Sequence, residues 1–168
     1  MIFKFLSKNF YISFLIVVLI YFLDRLSKIY VIQLDKNNLG SDIFNSTYLN
    51  IVLIWNKGIA FGLLSFNESY LYNIISLIIA IIIIVLVIMS LKSQGFKRYS
   101  LLMIVGGALG NLHDRIFFNA VPDFIDFHVG NFHWFIFNVS DIFITLGVIS
   151  MIVLELADSK TEKKNNDK

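Results

Sequence analysis

The sequence contains no cysteine. That absence excludes a thiol nucleophile, a disulfide framework and thiolate metal sites together. Charge is scarce as well: 15% of the 168 residues are Asp, Glu, Lys or Arg against 57% hydrophobic, and mean hydropathy is +0.75. Soluble domains carry about a quarter charged residues, so this composition belongs in a bilayer. There is a single proline, Pro122, directly before Asp123. Too little polar chain is left over for a second domain, and one unit over 1–168 is expected. The formal charge of +2 says little about partners, and nucleic acid is not expected among them.

What is present is four apolar runs, at about 10–31, 70–91, 99–118 and 138–157. Each is near the roughly 20 residues that a helix needs to cross a hydrocarbon core of about 30 Å. The first run follows Lys4 and Lys8, a start that also suits a cleaved signal peptide. It lacks a small-x-small cleavage site and continues into DRLSKIYV, so a retained span is predicted. Lys4, Lys8, Lys92, Lys97, Arg98, Lys160, Lys163, Lys164 and Lys168 make nine of the fourteen basic residues. They fall at the N-terminus, in the 92–98 loop and in a polar tail, 159–168, that reads as disordered. The positive-inside rule then places both termini in the cytoplasm. Between the first two spans, TYLNIVLIW is β-branched and aromatic enough for a strand. It opens a cradle over about 47–66.

The polar residues inside these apolar stretches are functional candidates, because burying them unpaired costs several kcal/mol each. Asp24 and Lys28 stand at i, i+4 with the acid first, which suits a helical ion pair or a role at a site. Asn111, Asp114 and Arg115 share one helical face after a glycine-rich segment; an Asp114–Arg115 pair at the interface is the plainer reading. Asn56 and Gly58 sit in a tight segment after the first strand. FIDFHV and FHWFIF read as strands joined through Gly130-Asn131, a loop suited to a type II′ turn. Pairing Val129 with Phe132 puts Asp123 opposite Asn138, with Asp141 one helical turn on; Asn138 or Ser140 would cap the last helix. Two carboxylates so placed share one proton and supply a general base for water and a general acid for a leaving amine. That is the pattern of an aspartyl hydrolase. Asp126, His113, His128 and His133 invite a metal, but no HExxH-like spacing exists, and neither metal nor other cofactor is expected. Phe132, Trp134, Phe135 and Phe137 read as an interfacial anchor. Two other classes fit the same residues: a transporter relaying protons through Asp24, Lys28, Asp114 and Arg115, or an assembly factor whose aspartates brace the hairpin. The clustering of polar groups toward one face argues against the first.

The pieces DRLSK, NKGIAFG, GALGNLHDR, VPDFIDF and FNVSDIFITLG, in this order across four spans, resemble the signal peptidase II family of bacterial membrane aspartyl peptidases. The resemblance covers Asp24 to Gly147. It implies a membrane α-helical fold: four transmembrane helices with a small extracytoplasmic β-sheet or cradle and a β-hairpin. It implies that Asp123 and Asp141 form the catalytic dyad, and that Asp24, Lys28, Asn56, Gly58, Asn111, Asp114, Arg115 and Asn138 bind substrate or support the pocket. The implied substrates are diacylglyceryl-modified prolipoproteins, cut just before the modified cysteine. The implied setting is the bacterial inner membrane, among its lipids, with the site toward the outer leaflet and the enzyme a monomer. Lys57, Ile59, Pro122 and Ser140 depart from the family's commonest pattern; none removes a polar group that the mechanism requires.

Overall fold

The computed structural model describes residues 8–37, 43–58 and 69–166. The elements run α1 (Lys8–Asn37), β1 (Phe44–Asn45), β2 (Leu49–Asn56), α2 (Ser69–Lys92), α3 (Gly95–Phe118), β3 (Val121–Val129), β4 (Phe132–Phe137) and α4 (Val139–Asn166). All four helices are long and apolar enough to cross a membrane, as the apolar runs predict. Their outer faces expose Leu15, Leu19, Phe22, Ile78, Ile82, Ile149 and Val153, a surface that only lipid would cover favourably.

α3 is the axis of the molecule. Half of its apolar window is buried, more than in any other helix, and α1, α2 and α4 each pack on it. Glycine permits that closeness. A Cβ on Gly107 would stand 2.5 Å from the Ser140 carbonyl oxygen of α4, and one on Gly147 would stand 2.7 Å from the Ser100 carbonyl oxygen of α3. Without a water-driven force between spans, such backbone approach supplies the packing. α3 ends at Asn119, whose φ of 52° is a left-handed cap, and the chain enters β3 within two residues.

The strands form one antiparallel sheet in the order β1-β2-β3-β4. It occupies one end of the bundle. The start of α1, the α2–α3 connection and the later part of α4 share the other, where Ile12 and Ser13 adjoin Leu91 to Tyr99 and Lys97 lies 3.7 Å from Glu155. The hairpin turn is as expected: Val129 pairs with Phe132, and Gly130 takes a φ of 58° while Asn131 does not turn positive. That combination fits a type II′ turn.

Three sequence expectations need correction. The register of β3 on β4 slips by one between Asp126 and His128, so Ile125 faces Phe137 and Asp123 is not directly opposite Asn138. A bulge of this kind sets two residues against one and re-aims the side chains beyond it. The cradle strand starts at Leu49 and gains a two-residue partner, β1, while the part of the expected cradle from 59 to 66 lies outside the described residues. Finally, α4 continues to Asn166 rather than giving way to a disordered tail near 159. Glu162, Lys163 and Lys164 are good helix formers, and polarity alone does not stop a helix already nucleated by its packed half.

Candidate active site

The site is assembled where the sheet meets the bundle. Asp123 comes from β3, buried at 4% exposure. Asp141 comes from the first turn of α4. Both line a cavity of about 530 Å³ together with Asn56, Asn111, Arg115 and Asn138. The remaining wall is apolar, from Ile79, Ile82, Ile83 and Leu86 of α2 to Ile144, Val148 and Ile149 of α4. α2 and α4 each pack on α3 far more than on one another, so the cavity lies along the seam between them.

Asp141 is fixed by the way α4 begins. Asn138 precedes the helix, and its Oδ1 accepts from the Asp141 N–H at 3.1 Å; the Asp141 Oδ2 accepts in return from the Asn138 N–H at 3.1 Å. This reciprocal pair is a capping box with Asp in place of the usual Glu. It settles the choice between Asn138 and Ser140 in favour of Asn138. The Ser140 N–H, another free donor of the first turn, reaches the Asp24 Oδ1 at 2.9 Å across 116 residues. The second Asp141 oxygen accepts from Asn111 Nδ2 at 2.8 Å.

Among the described residues, Asp123 is held by side-chain amides. Asn138 Nδ2 donates to one oxygen at 2.6 Å and Asn56 Nδ2 to the other at 2.8 Å. The expected meeting of Asp123 with Asn138 therefore occurs through side chains, despite the slipped register. Each amide's orientation is dictated by its far side. Asn138 Oδ1 meets an N–H, Asn56 Oδ1 accepts from the Gly58 N–H at 2.8 Å, and Asn111 Oδ1 accepts from Lys28 Nζ at 3.0 Å. A carbonyl oxygen must face each of those donors, which turns all three NH₂ groups toward the carboxylates. Burial, then the Asp141 carboxylate, push the Asp123 carboxyl up to about 6; the Asn56 and Asn138 hydrogen bonds resist the rise.

Behind Asp141 lies a buried ion cluster. Arg25 grips Asp114 with two nitrogens, at 2.5 and 2.7 Å, and donates to Asp24 at 2.8 Å. Lys28 Nζ lies 3.0 Å from Asp24 and 2.7 Å from Asp114. Two cations thus meet two anions, and Lys28 extends the network to Asn111. The Asp24–Lys28 pair is both a packing device and a support, since Asn111 carries it to Asp141. Gly110 lets the cluster close: a Cβ there would meet Asp24 Oδ2 at 2.6 Å and collide with the Ser140 hydroxyl.

Asp114 pairs with Arg25 and Lys28, not with Arg115. Arg115 donates to two main-chain oxygens, of Asn111 at 3.3 Å and Gly58 at 3.4 Å, and its buried Nε has no hydrogen-bond partner among the described residues. Among the described residues no carboxylate pairs with it. Arg25 is not among the candidates read from the sequence. The signal was there, an arginine deep in an apolar run. The Ser140 contact with Asp24 had no sequence signal at all. Of the metal candidates, His113 stays apart, its Nδ1 2.9 Å from the Tyr21 hydroxyl and its ring 4.5 Å from that of Phe117.

With this geometry in place, comparison with known proteins is decisive. Residues 16–157 match the family model described as Signal peptidase (SPase) II. The chain belongs to the signal peptidase II family. It is 48% identical over 160 residues to the lipoprotein signal peptidase of Pelagibacter ubique (strain HTCC1062), covering 94% of this chain and 96% of that one. It is 44% identical over 138 residues to the lipoprotein signal peptidase of Anaplasma phagocytophilum (strain HZ), covering 80% and 85%. Among solved structures, a bacterial membrane enzyme determined by the in meso method at 2.3 Å superposes with a TM-score of 0.72 at 32% identity, over 89% of this chain and 90% of that one. This signal peptidase II is accordingly an integral membrane protease of the aspartic class that removes signal peptides from lipoproteins. Its four spans and small antiparallel sheet are those the sequence leads one to expect, apart from the short strand β1.

Proposed function

We propose that the enzyme cuts prolipoproteins immediately before the diacylglyceryl-modified cysteine, with Asp123 and Asp141 as the catalytic dyad. One observation carries this reading: two carboxylates line a single apolar-walled cavity, and among the described residues the hydrogen bonds that reach them come from the side-chain amides of Asn56, Asn111 and Asn138 and the Asn138 N–H, none from a cation. Two acids without a cation between them share a proton across the range where the second resists ionisation. The ionised member takes a proton from water as it attacks the scissile carbonyl. The protonated member gives its proton to the departing amine. As a coupled pair they titrate in two steps that belong to both.

The other site residues divide by what they touch. Asn56, Asn111 and Asn138 orient the dyad; Gly58 fixes Asn56 through its N–H. Asp24, Lys28 and Asp114 hold Asn111 and the start of α4 in place. Arg115, which lines the cavity without a carboxylate partner, donates to the substrate's main-chain carbonyls. The seam between α2 and α4 admits the signal peptide and the acyl chains sideways from the bilayer, and membrane lipids fill it between turnovers. The molecule acts as a monomer, one membrane-embedded peptidase domain over 1–168. Both termini face the cytoplasm, and the dyad opens toward the outer leaflet of the bacterial inner membrane.

The test uses purified enzyme in detergent with a diacylglyceryl-modified prolipoprotein and its unmodified counterpart, EDTA throughout. Mass spectrometry reads the product. Cleavage of the lipidated form alone, leaving the modified cysteine as the new N-terminus, is the expected result. A cut elsewhere, equal cutting of the unmodified form, or loss of cleavage chemistry to EDTA would contradict it.

A further inference from the structure

The hairpin carries a second cluster that takes no part in the dyad. Asp126, His128 and His133 do not line the cavity of Asp123 and Asp141. His128 and His133 are cross-strand partners whose rings stack 5.0 Å apart at 20°. His133 Nδ1 lies 3.0 and 2.9 Å from the two oxygens of Asp126, and Asn50 Nδ2 donates to one of those oxygens at 3.2 Å. One donor atom from each of the three residues falls within 4.8 Å of the others. Independently, His128 is 92% buried and its Nδ1 has no hydrogen-bond partner among the described residues. A buried polar atom left so is costly, and an ion is among the few things that account for one.

We infer that Asp126, His128 and His133 form a binding site for a divalent transition-metal ion that ties β3 to β4. Two imidazoles and a carboxylate suit the zinc, nickel and copper class rather than magnesium or calcium, which take oxygen ligands. Three protein ligands leave a fourth position to water. Tetrahedral zinc needs donors about 3.3 Å apart, given Zn–N and Zn–O lengths near 2.0–2.2 Å. The separation closes by rotation of His133, whose side chain is 53% exposed and exchanges its hydrogen bond to Asp126 for the ion. Asp126 has the capacity for both tasks, since a carboxylate offers about four lone-pair sites and Asn50 and His133 do not fill them. Through Asn50 on β2 the ion's hold reaches a third strand. The site is separate from the peptidase chemistry, so it stiffens the hairpin without taking part in the cut.

The experiment uses the full chain in detergent, prepared without a histidine tag and stripped with EDTA. It is titrated with Co²⁺ while visible absorption is followed, then challenged with Zn²⁺. The expected result is saturation at one Co²⁺ per chain, displacement by Zn²⁺, and a higher thermal midpoint with Zn²⁺. His128→Phe and His133→Gln each weaken binding by about tenfold or more, the scale of losing a metal-site partner. His113→Phe leaves binding unchanged, and His128→Phe retains prolipoprotein cleavage, which shows that it folds. Absence of saturable binding to the parent chain would overturn the assignment, leaving Asp126–His133 a plain hydrogen-bonded pair with His128 packed on it. Binding that survives His128→Phe unaltered, or that His113→Phe abolishes, would overturn it as well.

Discussion

Two pairs of carboxylates stand at the heart of this molecule, and they are treated in opposite ways. Asp24 and Asp114 are fully buried, and each is matched by Arg25 and Lys28. Asp123 and Asp141 are received by the amides of Asn56, Asn111 and Asn138 and the N–H of residue 138. A cation beside a carboxylate fixes its charge; a neutral amide orients the group and leaves its proton negotiable. The first pair holds helices together, and the second has the partners that the proposed proton transfer requires. Burial alone does not distinguish a scaffold from a catalyst. The partner does.

The largest effect should come from unbalancing the scaffold pair. Asp114→Ala leaves Arg25 and Lys28 to share the single carboxylate of Asp24 in the interior, and unbalancing such a cluster costs about 3–5 kcal/mol. Thermal unfolding in detergent should show a fall of many degrees, with activity lost alongside the fold. If Asp114→Ala unfolds like the parent chain, the cluster is not the brace described.

A smaller effect separates the pairs by pH. Asp123 titrates near 6 when folded but near 3.8 when unfolded. The folded chain then holds the extra proton between those values, so stability falls as pH rises from about 4 to about 6 and is level above. A shift of two units corresponds to at most about 3 kcal/mol. Asp123→Asn should remove that slope and raise the unfolding midpoint at pH 7 but not at pH 4. An unchanged slope would show that Asp123 ionises like any surface carboxylate.

The smallest effect tests the link between the pairs. Asn111 accepts from Lys28 and donates to Asp141. Asn111→Leu removes two hydrogen bonds to charged groups, and the one that bears on the dyad, to Asp141, is worth about 1.5–3 kcal/mol. We expect kcat to fall roughly tenfold to a hundredfold by that conversion, with a displaced pH profile and near-parental KM. A change in KM alone would make Asn111 a substrate contact instead.

Much of this could be read from residue order. Spans stand out because so few charges interrupt them, and for the same reason Asp123 and Asp141 are visible as anomalies. Gly130-Asn131 marks the hairpin turn locally. The slipped register could not be read, because FIDFHV alternates identically with or without a bulge, and pairing on both edges of β3 decides it. Arg25's grip on Asp114 and the Ser140 N–H on Asp24 are contacts between helices far apart in the chain, and no local pattern encodes them. The continuation of α4 past its apolar half was missed because polarity was read as disorder.

The most direct test of the central claim replaces each dyad member by asparagine, which keeps shape but cannot relay a proton. Cleavage of the diacylglyceryl-modified prolipoprotein is measured for the parent, Asp123→Asn and Asp141→Asn, with thermal unfolding confirming that each variant is folded. Loss of at least about 10³-fold in both, within the range for removing a general acid or base, is the predicted result. Folded variants that still cut at near-parental rates would place the chemistry elsewhere.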